Sequence, residues 1–497
     1  MMSIRHMYLK KVLRGSIILL INAALVGLLG YILRIFLARN LSIASFGLFY
    51  AVVTLFMFFT TFLDLGLSLA VSKKIIELEA RKMYDRINNL FFSVILFQLV
   101  ISLLIMLGII LFAGFLSTSY FHADAKVLMY ILMVWLVTVP FVSLYSSIFY
   151  GFQRLELYGA LDISKALLVL IFSVMLFWVG NGIYGLAFAY FISNILLLII
   201  FYFFIKKVFK QFSLLNGRWD KTLLKEVLLF GVTLSIASFI WLLMVQVDTL
   251  VLTYFTNTVQ VGLYQVAILI SNLVLLLANA VSAAMFPTIS ELYMKKDHTR
   301  LSQGISSAYT YLSLVLFPLV LLVVMFPDII INLFFTSKFL DAVPALVILA
   351  IGTIFTSITT INNSILNAFN KPSLVIKIMG AVVVFNMVLL FILVPRYGLF
   401  GAAISTSTSF VIASILSSYH LQKHISFKLP FFTWAVLIPT SILLIFVVNW
   451  LRNNLTMSLW PKLFIIVGIC GIIYFLVLHI FKIFRISQIK DLMTSSK

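Results

Sequence analysis

Long stretches of apolar residues, separated by short polar turns, follow one another along the chain. Most reach the ~20 residues that an α-helix needs to cross a hydrocarbon core of about 30 Å. The pattern therefore predicts an all-α integral membrane protein with about fourteen transmembrane helices. They are placed at 16–37, 46–70, 90–114, 127–150, 160–180, 183–205, 226–254, 259–287, 307–335, 343–367, 374–394, 398–420, 432–450 and 461–482.

Helices seven, eight and nine are predicted to be overlong, which indicates tilt, kinks or extension past the membrane surface. Pro287, Pro318 and Pro327 are the candidate kinks, because proline removes a backbone hydrogen bond and crowds the preceding turn. The first apolar run follows a basic segment, as a secretory signal would. It is too long for a signal and has no small-residue cleavage site, so it is predicted as helix one.

Composition supports lipid as the surroundings of most of the chain. Apolar residues make up 63% of the 497 positions and charged residues only 10%, more apolar surface than a soluble protein can bury. A water-soluble enzyme is therefore excluded. Cys470 is the only cysteine, which excludes an intrachain disulfide.

The formal net charge is +20, from 35 Lys and Arg against 15 Asp and Glu. When the predicted loops are taken alternately, most basic residues lie in the terminal segments and every second loop. Cytoplasmic loops are the basic ones, so both termini are predicted to be cytoplasmic, in the plasma or inner membrane. The placement of the basic residues in these loops therefore explains their excess without a nucleic-acid partner. The opposite loops contain only Arg39, Lys126, Lys338, Arg396, Arg452 and Lys462.

The chain also resembles itself at an offset of about 216 residues. Phe46-Gly47-Leu48-Phe49-Tyr50 matches Val261-Gly262-Leu263-Tyr264-Gln265, and Ser147–Phe152 matches Ser364–Phe369. Matched segments start on the same side of the membrane, which predicts two parallel lobes related by an axis along the membrane normal, a transporter architecture. The predicted organisation is a six-helix lobe at 1–205, a basic cytoplasmic linker at 206–225, a second six-helix lobe at 226–420, and helices thirteen and fourteen with a cytoplasmic tail at 421–497.

Ionisable residues within predicted spans are costly, so they should face a cavity or a partner. Arg34 is a candidate phosphate anchor, with snorkelling to the outer interface as the alternative. Asp248 lies at a matching depth in helix seven, and we expect either an outer gate pair with Arg34 or a cap at a helix end. Asp64 is a candidate proton or sodium site, or a structural aspartate. Asp162 and Lys165, three residues apart, favour a local ion pair over a substrate site.

Amides and an aromatic side chain form a second candidate set, suited to sugar hydroxyls and sugar faces. The alternative for each is a hydrogen bond that holds two helices together. The set consists of Trp241, Asn272, Asn279, Asn363 and Asn367.

Chemistry of the soluble type is not indicated. The histidines lie in loops or near helix ends, and a metal site at His420 and His424 is disfavoured because few carboxylates surround them. The absence of a phosphate-binding loop of the Walker type excludes an ATPase on this chain. No cofactor, metal or enzymatic activity is therefore expected.

Several short motifs resemble those of polysaccharide flippases. Ala38-Arg39-Asn40-Leu41 before Phe46-Gly47-Leu48, Val247-Asp248-Thr249-Leu250 before Val261–Tyr264, and Tyr397–Ala403 occur in the family's order and spacing. The resemblance spans residues 15 to about 420. It points to the polysaccharide, O-antigen-type branch of the MATE-like multidrug/oligosaccharidyl-lipid/polysaccharide exporter superfamily.

That resemblance implies flipping of a polyprenyl-pyrophosphate-linked oligosaccharide from the inner to the outer leaflet by alternating access. Arg34 matches an arginine of helix one that related peptidoglycan-precursor flippases use for the pyrophosphate. Membrane lipid is an implied partner, and glycan polymerases or glycosyltransferases are candidate partners. The alternatives are a cation- or proton-coupled multidrug antiporter of the same superfamily and a non-transporting scaffold for glycan assembly.

Overall fold

The computed structural model describes residues 2–213 and 216–483, with the backbone alone for residues 2–14, 16, 17, 20 and 459. The side chains of the basic N-terminal segment, two linker positions and the predicted tail at 484–497 lie outside the described part. All the regular secondary structure of the described residues is helical. The helices are α1 Met2–Asn40, α2 Ile43–Asp64, α3 Leu67–Ala80, α4 Tyr84–Phe115, α5 Lys126–Gly151, α6 Leu155–Leu176, α7 Gly182–Val208, α8 Lys221–Phe255, α9 Thr258–Met294, α10 His298–Met325, α11 Pro327–Phe335, α12 Val343–Ala368, α13 Pro372–Gln422, α14 Phe431–Asn454 and α15 Leu459–Ile480.

Helix two was predicted as one continuous segment at 46–70, and that prediction is wrong. The helix stops at Asp64 and restarts at Leu67, because Leu65 and Gly66 both adopt left-handed backbone angles, with φ of 43° and 71°. A side chain on Gly66 would overlap the carbonyl oxygen of Gly231 in α8, so the break also allows two backbones to approach closely. The result is a polar, irregular stretch of backbone inside an apolar segment.

Helix nine, predicted at 307–335, is also two helices. α10 ends at Met325 and α11 begins at Pro327, where the missing N–H of proline costs nothing at the first helical position. Pro287 and Pro318 lie within α9 and α10 without ending them.

Twelve segments of the described chain are long and apolar enough to cross a membrane. Two of them, Leu155–Val208 with 54 residues and Pro372–Gln422 with 51, are each about twice the ~20–25 residues that one crossing requires. Both contain a non-helical glycine, Gly180 in the first and Gly398 in the second. Division at these glycines would give the fourteen helices that the sequence predicts.

The chain divides into two compact units, Met1–Val266 with Phe334–Asp341 and Met387–Ala402, and the remainder from Ala267 onward. In the first unit, α5 packs against α3, α4 and α7, and α8 packs against α2 and α3. Its buried apolar core includes Phe91, Ile148 and Leu197. Inside it, the amide of Asn194 in α7 donates to the Thr138 hydroxyl in α5 at 2.8 Å, the kind of contact that holds helices together in lipid.

In the second unit, α10 packs against α12 and α14, and α14 packs against α15. A buried apolar cluster that includes Leu437, Leu444 and Ile466 joins α14 and α15. The two units follow packing, whereas the predicted lobes at 1–205 and 226–420 follow the sequence repeat. The lobes therefore remain a prediction.

Candidate functional site

The carboxylate of Asp64 lies at the break between α2 and α3. Its Oδ1 accepts hydrogen bonds from the backbone N–H of Ser68 at 3.2 Å, from the Ser68 hydroxyl, and from the Ser143 hydroxyl at 3.4 Å. The two hydroxyl oxygens are 2.6 Å apart. The last residue of α2 is thus tied to the first turn of α3 and to α5, so the break is a built feature with defined polar contacts.

A cavity of about 430 Å³ opens beside this break, within the first compact unit. Its lining includes hydroxyls from α2, α3, α5 and α8, such as those of Thr60, Ser68, Ser146 and Ser238. Asp64, Asp162 and Lys165 are the charged residues among the lining. Hydroxyls and charges within apolar spans indicate a binding or transport path, because such groups are expensive in lipid.

Asp162 and Lys165 do not form the ion pair that their spacing predicted. The amide Nδ2 of Asn22 in α1 donates instead to Asp162 Oδ2 at 3.2 Å. Among the described residues, the Lys165 ammonium has neither a hydrogen bond nor a salt bridge. Both residues line the cavity with Asp64, so three of the four predicted coupling or gating residues lie around one space.

Arg34 lies in α1 with its guanidinium carbon 5.0 Å from the centre of the Tyr50 ring in α2. This cation–π contact contributes about 0.5–1 kcal/mol where the cation stays hydrated, and more where it is desolvated. Asp248 in α8 is 1% exposed, and Tyr264 donates a hydrogen bond to its Oδ2 at 2.7 Å. In the described chain Arg34 and Asp248 therefore form no ion pair in this conformation, and the outer gate stays a prediction.

The predicted sugar-contact residues do not line this cavity. Trp241 is 66% exposed on α8 and is not part of the cavity lining. Asn272 and Asn363 are half-buried, while Asn279 and Asn367 are exposed. Their roles remain predictions.

One buried amide of the second unit is that of Asn362, which is one residue from the predicted Asn363. Asn362 donates to the hydroxyls of Ser417 at 2.9 Å and Ser418 at 3.0 Å, and it accepts from the hydroxyl of Tyr309. This network joins α10, α12 and α13. The described residues contain no group of three or more His, Cys, Asp or Glu placed to hold a metal ion.

Comparison with known proteins gives the family. Residues 12–293 match the family model described as "Polysaccharide biosynthesis protein". The chain belongs to the polysaccharide biosynthesis protein family. Residues 221–471 of this family member also match the model described as "Lipid II flippase MurJ". The resemblance to the polysaccharide branch of the exporter superfamily, inferred from short motifs, is thereby confirmed.

Relatives and solved structures agree with this assignment. An uncharacterised membrane protein of Methanocaldococcus jannaschii, MJ1068, is 27% identical over 98% of this chain and 99% of its own length. The probable low-salt glycan biosynthesis flippase Agl15 of Haloferax volcanii is 29% identical over 37% of this chain and 39% of its own.

The structure of lipid II flippase MurJ in an inward closed conformation superposes with a TM-score of 0.71 at 17% identity, over 93% of this chain and 97% of that one. An inward-facing multidrug MATE transporter gives 0.63 at 17% identity, over 80% and 94% of the two chains. At this identity the likeness concerns the fold, and the predicted all-helical transporter fold is confirmed.

Two features of the cavity in this polysaccharide biosynthesis protein were missed from the sequence. Ser143, Ser146 and Ser147 recur at helical spacing on the cavity side of α5, a polar stripe that was visible in the sequence. The pairing of Asn22 with Asp162, 140 residues apart, had no local signal.

Proposed function

We propose that this chain is a flippase that moves a lipid-linked oligosaccharide, carried on a polyprenyl pyrophosphate, from the inner to the outer leaflet. The observation that carries the proposal is family membership, since one model covers residues 12–293 and the lipid II flippase model covers residues 221–471. The flipped glycan would serve cell-surface polysaccharide or glycan export.

The polar cavity supports this function on physical grounds. A glycan headgroup carries many hydroxyls, and moving them through lipid without partners would cost several kcal/mol for each unsatisfied group. A space lined by hydroxyls, two carboxylates and an ammonium offers replacement partners inside the membrane-spanning part of the chain. Arg34 is the candidate for the pyrophosphate, because a guanidinium binds phosphate oxygens through two parallel hydrogen bonds.

An apolar cavity of about 390 Å³ in the second unit supports a lipid substrate in a different way. It lies between α10 and α15, and its walls include Leu321, Leu322 and Val467. A prenyl chain needs contacts of this kind and no polar partners.

The transport cycle that we propose is alternating access of two six-helix lobes, with both termini in the cytoplasm and the plasma membrane as the location. No chemical step on the substrate is required, so the chain acts as a transporter and not as an enzyme. Glycan polymerases or glycosyltransferases are the proposed protein partners, because they would supply or consume the flipped glycan.

The test is the location of lipid-linked oligosaccharide after the protein is removed, measured with a membrane-impermeant glycosidase on intact spheroplasts or osmotically stabilised cells. We expect a protected pool that faces the cytoplasm to accumulate, and wild-type protein to restore exposure. Arg34→Ala should fail to restore it, whereas Gly27→Ala, on the same helix with open space around it, should restore it.

An unchanged, accessible pool would overturn the flippase proposal. Resistance to cationic dyes that is lost with the protein would then favour the multidrug antiporter. Loss of glycan assembly without dye sensitivity, rescued equally by Arg34→Ala, would favour the scaffold.

A further inference from the structure

The cavity beside the α2–α3 break has an unusual mixture of chemical groups. Two carboxylates, Asp64 and Asp162, offer acceptor oxygens, the ammonium of Lys165 offers three donors, and serine and threonine hydroxyls offer both. Its volume of about 430 Å³ falls in the ~300–1,000 Å³ range of small-molecule sites. A ligand that suits this lining must donate and accept hydrogen bonds at many points, as a polyhydroxylated ring does.

Lys165 gives the strongest indication of a ligand. Lys165 lines the cavity, and its ammonium has no hydrogen bond or salt bridge among the described residues. Asp162 is held by Asn22 through one oxygen, at 3.2 Å. The two side chains therefore contribute an ammonium and a positioned carboxylate to the lining of one space, where they can bind an acceptor and a donor on one molecule.

Aromatic residues complete the lining. Tyr150 lies at the end of α5 and Tyr158 at the start of α6, and both line the cavity. Their ring centres are 5.7 Å apart in an edge-to-face arrangement. Each offers an apolar face and a polar hydroxyl. Apolar faces beside carboxylates match a sugar ring, whose C–H face and hydroxyl edge need both kinds of contact.

The charges limit which sugar fits. By formal charge, two aspartates and one lysine give the lining one negative charge. A carboxylate on the ligand would be repelled across a poorly screened interior, whereas an uncharged or amino sugar would not.

We propose that this cavity binds one sugar unit of the transported glycan, and that its net negative charge selects uncharged or amino sugars and rejects uronic acids. The proposal rests on the proposed flippase function and specifies its substrate class. It places glycan recognition in the first unit, on Asp64, Asp162, Lys165, Tyr150 and Tyr158.

Saturation-transfer NMR on purified full-length protein in nanodiscs tests the proposal, with glucose, glucosamine and glucuronate as the probes. Millimolar affinities are sufficient for this measurement, because the signal is read on the free sugar. Asp162→Asn brings the cavity charge to zero, and Lys165→Gln brings it to two negative charges. Asp328→Asn is the control, because it removes a carboxylate that pairs with Arg452 in the other unit.

In wild type we expect signal for glucose and glucosamine and little for glucuronate. The ratio of glucosamine to glucuronate signal should fall in Asp162→Asn and rise in Lys165→Gln, by roughly tenfold for each unit of charge. Asp328→Asn should match wild type. The ratio compares two sugars on one sample, so partial loss of folded protein does not change it.

No sugar signal in wild type, or a ratio that is the same in all four proteins, would overturn the proposal. If the glycosidase assay shows intact flipping while the NMR measurement gives either of these results, the sugar site is excluded and the flippase function is retained. Charge-dependent sugar binding by a protein that does not flip glycan would keep this sugar site and overturn the flippase function.

Discussion

Gly47 and Gly262, which occupy matching positions of the two sequence repeats, lie backbone to backbone. A methyl group on Gly47 would stand 2.7 Å from the amide nitrogen of Gly262 and would overlap the carbonyl oxygen of Thr258. A methyl group on Gly262 would stand 2.5 Å from the carbonyl oxygen of Ile43. The start of α9 thus approaches α2 as closely as small residues allow helices to pack in lipid.

Substitution of either glycine by alanine should separate these helices. We expect Gly47→Ala and Gly262→Ala each to destabilise the protein by about 1–3 kcal/mol, the usual cost of overpacking. The measurement is thermal unfolding of purified protein in detergent. Gly30→Ala in α1, which meets nothing within 4 Å, is the control and should unfold like wild type. Equal stability of all three variants would contradict the close approach.

The role of Arg34 can be separated from that of a snorkelling cation. If its guanidinium binds pyrophosphate, Arg34→Lys should keep little of the flipping activity, because an ammonium lacks the planar pair of donors. If the guanidinium only reaches the membrane interface, Arg34→Lys should flip glycan as well as wild type does. The glycosidase assay measures both variants. Tyr50→Phe keeps the ring beneath the guanidinium and should therefore remain active.

Asp64 is a candidate proton or sodium site, with a structural aspartate as the alternative, and a substitution can distinguish the two roles. Asparagine keeps the shape of aspartate but cannot gain or lose charge, so Asp64→Asn should flip slowly and at the same rate with or without an ionophore. Wild type should slow when the gradient is dissipated. The measurement is the rate at which glycan becomes accessible in energised and ionophore-treated cells.

Asp124→Asn, in an exposed loop, is the control for Asp64→Asn and should respond as wild type does. An Asp64→Asn variant that still responds to the ionophore would exclude Asp64 from coupling.

Much of the fold was readable from the sequence, because hydrophobic length alone identifies a membrane-spanning helix. The break at Leu65–Gly66 was not, since one glycine in an apolar run is compatible with a continuous helix. What requires the break is contact with Gly231 in α8, which lies far away in the sequence. Tertiary contacts of this kind leave no local pattern.

The sequence predicted which charged residues belong to the candidate site better than it predicted their contacts. Asp64, Asp162 and Lys165 were found because charges in lipid are rare, and they do line one cavity. Among the described residues no salt bridge joins Asp162 to Lys165, and the carboxylate of Asp162 accepts a hydrogen bond from Asn22 of another helix, which the spacing of three residues did not predict.

The hydrogen bond from Tyr264 to Asp248 allows the gate to be distinguished from a structural contact. Tyr264→Phe leaves a buried acceptor without this donor, so it should destabilise the protein by about 1–3 kcal/mol. If Asp248 stabilises the protein through this contact, Asp248→Asn combined with Tyr264→Phe should lose less stability than the two single losses added together. Unfolding of the two single variants and the double variant in detergent measures the coupling.

A gate makes a different prediction for Asp248. Neutralising either member of an ion pair that closes the outside should have the same effect on transport, so Arg34→Ala and Asp248→Asn should not add in the flipping assay. Cysteines at positions 34 and 248 should also form a disulfide under oxidising conditions, in a background in which Cys470 is replaced. Strong coupling of Asp248 to Tyr264, with no cross-link to position 34, would assign Asp248 to the stability of the α8–α9 pair and remove the gate.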